Sequence, residues 1–554
     1  MSSHKLTRRD ILRLTGGSLG GFALLNSPFG MLLEAMTRGI YGQALAEAAG
    51  VTPRKWVDLR FDAAPPRWVY DLFLKPYAGG AAFIPNQNVG TRYVESAGRY
   101  VDVEYATVTR QGVAVPWLWQ FPVPKHGGGT RSMDPLLDHM LQFRGVHAGN
   151  PDHSAAQQLH YRPLGVHQTV PALAADAGNK PIPAVFANVG NFQFGSIRSN
   201  SPMLASGSNL IQSLMSPFVS SASAGYKTNR ANLKAYLESA AAAFGGELRA
   251  RNPAHEASIV AQNNALQLLE STFGDLVATW NTLFTKYNEL IIRSFDPSVP
   301  LAGINDKPIG ITSGRTGNPQ YNHNSVLVTN VDLRSMITAP TAADRSGTGT
   351  TMSTAMASAF ALAEFVLTRR LSDSLTLGMG TAIRLNINDT VVNNASDEHF
   401  TGKMASLLVN TCMARAHAAC MLEFIDVLKA PANDMFDDTI INVSGEFNRR
   451  PRTDGSGSDH NWEGANYTMY SGCFAGPKIV GNIRASTGET GYVGTWGFGA
   501  AIAEIGNRAL DLGHVSASIA TMIRVPSPIT AVSTVVEENT SGKIVPIIPN
   551  GTNT

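Results

Sequence analysis

Hydrophobic and polar positions alternate between two periods along this chain. Short β-branched or aromatic runs read as strands: Met140 to Val146, Pro183 to Asn188, Val326 to Thr329, Ala382 to Ile387 and Asp438 to Ser444. Trp68 to Leu74, followed by the turn Tyr77-Ala-Gly-Gly80, reads as an earlier strand. Between them lie stretches with the helical period. Leu266, Leu269, Phe273, Leu276, Trp280, Leu283, Tyr287 and Leu290 repeat every three or four residues and predict one apolar face within a helical segment of about 228–295. Met352 to Leu371 and Lys403 to Leu428 predict two further helices. Strands alternating with helices imply crossover connections, hence an α/β fold with a mostly parallel central sheet flanked by helices. The 228–295 helices are expected as an insertion outside that sheet. The last 25 residues, rich in Val, Ile and Pro, predict an edge strand or a tail.

In such sheets ligands bind beyond the carboxyl ends of the strands, and polar residues collect there. Asp389 follows one predicted strand and Glu446 another. His153 and Ser154 follow a third, at a helix start where Asn150 or Asp152 can act as N-cap. The segment 445–464, GEFNRRPRTDGSGSDHNWEG, places a carboxylate, two guanidiniums, a second carboxylate and an imidazole beyond one strand end. It is either a polar site or a surface loop. Structural readings stand beside the chemical ones: Ser154 as a first-turn residue, Glu446 and Arg449 as an ion pair, Asp459-His460 as turn residues, Asp389-Thr390 as a helix cap. His153, His160 and His167 fall seven apart, but Pro163 and Gly165 interrupt the row, which reads as coincidence.

With 554 residues and 44% hydrophobic content, the chain can bury a large core. A net charge of +2 and the lack of a basic run argue against nucleic acid as a partner. Thr7-Arg8-Arg9 precedes a short, glycine-softened apolar stretch ending near Leu25, the pattern of a twin-arginine (Tat) export signal, with Ala44-Leu45-Ala46 as a cleavage site. The expected division is therefore a signal over 1–46 and a single α/β domain over 47–554. The expected location is the periplasm or cell envelope, with the Tat translocase as a partner during export. Cys412, Cys420 and Cys473 form no CxxC pattern and read as buried small hydrophobes.

GEFNRRPRTDGSGSDHNW resembles the Glu-Phe … Asp-His-Trp signature of a Tat-exported bacterial family of unknown function, placed in the alkaline phosphatase and sulfatase-like superfamily. The resemblance extends in outline over 68–525 and is specific over 438–482. It implies an alkaline-phosphatase-like fold and metal-dependent hydrolysis of phosphate or sulfate esters, the substrate being a small or polymeric anionic ester. It also implies a nucleophile at a helix start, here Ser154; an oxyanion clamp, here Arg449; and ligands for a divalent metal (Zn, Mg or Ca), here Asp389, Glu446, Asp459 and His460. The sequence departs from the pattern at Ala81-Ala82-Phe83, where relatives carry a ligand, and at Val391, where the family has histidine. The alternative is a catalytically degenerate binding or assembly protein on the same fold.

Overall fold

The computed structural model describes most of residues 52–64, 90–205, 276–295, 352–483 and 499–548, with the short segments 322–323 and 326–327. The predicted strand at 68–74, the export segment, His167 and all of 228–275 lie outside the described residues. Among those residues no helix is long and apolar enough to cross a membrane.

An eight-stranded sheet organises the molecule. Its strands are β1 (Lys55–Arg60), β2 (Met140–His147), β3 (Val185–Ala187), β4 (Met203–Ala205), β5 (Ser374–Gly378), β6 (Thr439–Ser444), β7 (Glu463–Tyr470) and β8 (Lys478–Val480). They lie in the order β4-β3-β5-β1-β6-β7-β2-β8. β1 pairs in parallel with both β5 and β6, β3 with β4 and β5, and β8 with β2. Only β7 runs against its neighbours, β6 and β2. The sheet is therefore mixed and largely parallel, as the strand–helix alternation requires.

Both faces of the sheet are covered, which is why its strands are buried nearly throughout. Val57, Leu59, Leu375, Leu377, Ile441 and Val443 face one core, shared with α3 (Leu276–Ser294), α4 (Met352–Thr368) and α5 (Lys403–Lys429). Trp56, Ile440, Leu141, Phe143 and Met469 face the other, shared with α1 (His153–Tyr161), α2 (Val170–Ala177) and α6 (Leu512–Met522). Trp280, Tyr287 and Leu290 join α3 to the first core, so the described part of the 228–295 segment packs outside the sheet. α5 is buried along nearly its whole length, which suits a helix apolar on all sides. The three cysteines are buried and unpaired.

Two elements differ from the sequence reading. Ala382–Ile387 is not a strand of the central sheet: it pairs with Thr390–Ala395 in a separate hairpin. Asn388 and Asp389 both have positive φ (51° and 61°), the backbone of a type I′ turn, which returns the chain at once. The 445–464 segment is also a hairpin, Asn448–Pro451 against Ser458–Asn461. The C-terminal stretch forms a third, Val536–Glu538 with Ile544–Pro546.

His417, inside α5, is 2% exposed, and its ring lies edge-on to Phe61 at 5.4 Å. Burial drives its pKa down from 6.5 to about 3. Between those values the unfolded chain binds a proton that the folded chain refuses. This contribution is therefore complete above about pH 6.5 and shrinks by about 1.4 kcal/mol per unit as pH falls toward 3. His417→Leu is expected to flatten the loss of stability between pH 6.5 and 4.5, measured by urea denaturation. A variant as acid-sensitive as the wild type contradicts this account.

Candidate functional site

Three chain segments meet beyond the carboxyl ends of β1, β2 and β6. The first is the start of α1. Asp152 caps it, its carboxylate accepting from the Ala155 N–H at 2.9 Å, which places His153 in the first turn. The second is Glu446-Phe447 and the hairpin beyond β6, in which Arg449 lies opposite His460 and Arg450 opposite Asp459. The third is Asp397-Glu398-His399, just before α5. Glu398 anchors that segment: it is buried and accepts hydrogen bonds from Ser406 Oγ (2.6 Å) and Asn410 Nδ2 (2.5 Å). Its carbonyl also takes the Ser458 N–H of the hairpin at 2.9 Å. Gly457 permits this contact, since a Cβ there would stand 2.4 Å from the His399 carbonyl oxygen.

With Glu398 held inward, its neighbours reach the cleft. His153, Asp397 and His460 each present a ligand atom, all within 4.8 Å of one another, a cluster that could hold a metal ion. His399 Nε2 lies 2.7 Å from His460 Nε2 and 3.5 Å from Asp397 Oδ1. The other nitrogen of His153, Nδ1, contacts a carboxylate oxygen of Glu446, while Nε2 lies 3.6 Å from Asp397 Oδ2. Phe447 packs on His153 and His460 at 4.9 and 4.4 Å between ring centroids.

Burial disfavours protonation of His153, but hydrogen bonds and charge from Asp397 and Glu446 outweigh it and lift its pKa to about 9. Burial likewise works against the Asp397 carboxylate, yet His153, Arg449 and His399 hold its pKa well below the usual range. His460 shifts the other way, down to about 4, through burial and then the positive charges of Arg449 and His153. Asp62, just past β1, rises to about 6 through burial despite Arg60 beside it.

The residues expected from sequence fall in different places. His460 is in the cluster. Glu446 is beside it, 5% exposed, on the outer nitrogen of His153 rather than among the ligand atoms. Asp459 sits at the rim, bound to Arg452 Nη2 at 2.7 Å, with His399 Nδ1 at 3.8 Å. Arg449 is wholly buried (0% exposed). Its Nε and Nη2 donate to the carbonyls of Ala64 and Ala63 at 2.6 and 2.8 Å, and Nη2 also pairs with Asp397. It therefore fixes a carboxylate and is not placed to clamp a substrate oxygen. Asp389 is exposed at a hairpin tip because the chain turns back there, and Val391 is 57% exposed. Ser154 is exposed in the first turn of α1. The Ala155 N–H already donates to the Asp152 carboxylate, and the Ala156 N–H makes the helical bond to the Asp152 carbonyl.

Asp397 and His399 were not among the expected residues. Their one sequence signal is three adjacent titratable residues, Asp397-Glu398-His399, directly ahead of a long helix. Of the histidine row, His153 and His160 both lie in α1, which runs through Tyr161 with Pro163 beyond it, while His167 is outside the described residues. His153 and His160 therefore share a face, and both reach Glu446.

Asp397→Asn leaves the Arg449 cation without its carboxylate partner. The expected cost is about 1.5–3 kcal/mol, the usual worth of a hydrogen bond to a charged group, read by chemical denaturation of the metal-free protein; an unchanged midpoint means that Arg449 does not depend on Asp397. No family model, no curated protein and no solved structure matches the chain.

Proposed function

We propose that this protein is an exported, metal-dependent hydrolase of phosphate or sulfate esters, related in fold and chemistry to the alkaline phosphatase and sulfatase-like superfamily. The observation that carries this reading is the His153–Asp397–His460 cluster with Glu446 on the far nitrogen of His153. Imidazoles that bind metals through one nitrogen commonly give the other N–H to a carboxylate, which fixes both ring and tautomer. The resemblance at Glu446, Asp459 and His460 agrees with a site at this edge of the sheet.

The residues fit a metal on chemical grounds. Two imidazoles and one carboxylate suit zinc better than magnesium or calcium, which prefer oxygen. Donor atoms sharing one zinc stand roughly 3–4 Å apart, so the present spread closes with small side-chain rotations. His153, Asp397 and His460 would hold the ion, and three protein ligands leave a position open. A divalent ion there supplies Lewis-acid charge to an ester oxygen and acidifies a water.

The other residues tune that arrangement. Asp397 and Glu446 flank His153, and a divalent ion held there would offset their negative charge. One observation favours the degenerate alternative: Ser154 is exposed, and the Asp152 carboxylate takes the Ala155 N–H at the helix start that would otherwise be open to an anion.

Purified protein is expected to carry about one zinc per chain by mass spectrometry and to hydrolyse aryl phosphates or sulfates. His153→Ala, Asp397→Ala and His460→Ala should each abolish both properties, and Glu446→Ala should weaken zinc binding about 10–100-fold. A metal without hydrolysis supports a binding protein, and absence of both removes the enzyme reading. Export is tested separately: Arg8→Lys with Arg9→Lys should leave the precursor in the cytoplasm, and normal delivery of that variant refutes the Tat assignment.

A further inference from the structure

We infer that His160 is a positioning residue for this site: it grips the backbone of Glu446 so that the Glu446 side chain meets His153. This inference rests on the proposed metal site for its consequence, but not for its geometry. α1 spans nine residues, and His153 and His160 stand two turns apart on one face. The two imidazoles hold one residue from both sides. His153 Nδ1 takes the Glu446 carboxylate, and His160 Nε2 lies 2.9 Å from the Glu446 carbonyl oxygen.

Glu446 needs such a hold. The last residue of β6 in register with a neighbour is Ser444, opposite Tyr467 of β7 and Arg60 of β1. Two residues later the chain has left the sheet and not yet entered the 448–461 hairpin, so no strand pairing fixes its backbone. The His160 ring supplies the missing donor from a rigid helix.

The geometry also fixes the tautomer. A carbonyl oxygen only accepts, so Nε2 of His160 must carry the proton. Tyr467 Oη is 2.5 Å from the same nitrogen and 3.4 Å from Nδ1, and its ring lies 5.0 Å from the imidazole. Tyr467 Oη therefore lies to the side of the Nε2–H direction, so the proton goes to the Glu446 carbonyl while Tyr467 packs against the imidazole. This ties α1, the end of β6 and β7 into one unit. Any shift of α1 then moves His153 and its carboxylate partner together.

The test separates this role from mere packing. Nitrogen NMR of the metal-free protein should show His160 neutral with its proton on Nε2; a proton on Nδ1 overturns the inference without any variant. His160→Phe should lose the His153–Glu446 contact in a crystal structure of the metal-free protein and weaken zinc binding 10–100-fold in a competition titration. His160→Gln, whose amide N–H can reach the same carbonyl, should restore the affinity to within a few-fold. If His160→Phe keeps both the contact and the affinity, or if His160→Gln is as impaired as His160→Phe, the role falls. Wild-type protein that binds no zinc removes the proposed function, and the metal-free contact still decides the role of His160.

Discussion

The buried guanidinium of Arg449 is the constraint from which the cleft follows. A cation with no exposed surface is costly unless a carboxylate and carbonyls surround it. Arg449 finds two carbonyls at Ala63 and Ala64, just past the carboxyl end of β1, and one carboxylate at Asp397. Meeting that need draws three distant segments together: the exit of β1, the segment before α5 and the hairpin after β6. His460 comes with them because it lies opposite Arg449 in the hairpin, and His399 because it is two residues from Asp397. His153 and then Arg449 hold the Asp397 carboxyl low, and burial followed by Arg449 holds His460 low, the protonation states that a carboxylate and an imidazole need in order to bind a metal.

The more apolar elements were plain in the sequence. β6 and α5 appear where the apolar patterns put them, because a fully buried element is written in largely apolar or β-branched runs, and β2 keeps enough apolar positions around Gln142 and Arg144 to show as well. The central strand was not legible. KWVDLR carries Lys55, Asp58 and Arg60, and charges in a strand usually signal solvent. Here Asp58 and Arg60 are buried, with Asp58 bound to Asn442 of β6 at 2.7 Å and the Arg60 guanidinium 4.8 Å from the centre of the Tyr161 ring. β7, EGANYTMY, was obscured in the same way by glycine and asparagine. Polar residues inside a sheet erase the alternation that pattern reading depends on.

The site divides along the same line. Glu446 and His460 stood out because they follow a clear strand within a dense run of charged residues. Asp397 was invisible because its position depends on Glu398, whose partners Ser406 and Asn410 lie a helical turn or more inside α5. Asp389 follows a strand, but one that belongs to the separate 382–395 hairpin. Asn388-Asp389 is instead the signature of a tight hairpin turn, and hairpin tips face solvent. The rule that ligands gather at strand ends applies only to strands of the central sheet.

A division of labour between carboxylates explains why Glu446 looks like a ligand in sequence yet stands one bond further out. A carboxylate on the distal imidazole nitrogen makes the ring a better donor and holds its plane, but only if the carboxylate itself cannot turn. Glu446 is 5% exposed, and its backbone oxygen is fixed by His160. Asp397 has the opposite requirement. One of its oxygens is committed to Arg449, while the other faces His153 Nε2, and it stays about one-third exposed, open to whatever enters the cleft. Two carboxylates near one histidine thus differ in role because one is locked between helix and strand end and the other lies on the cleft side of a buried cation.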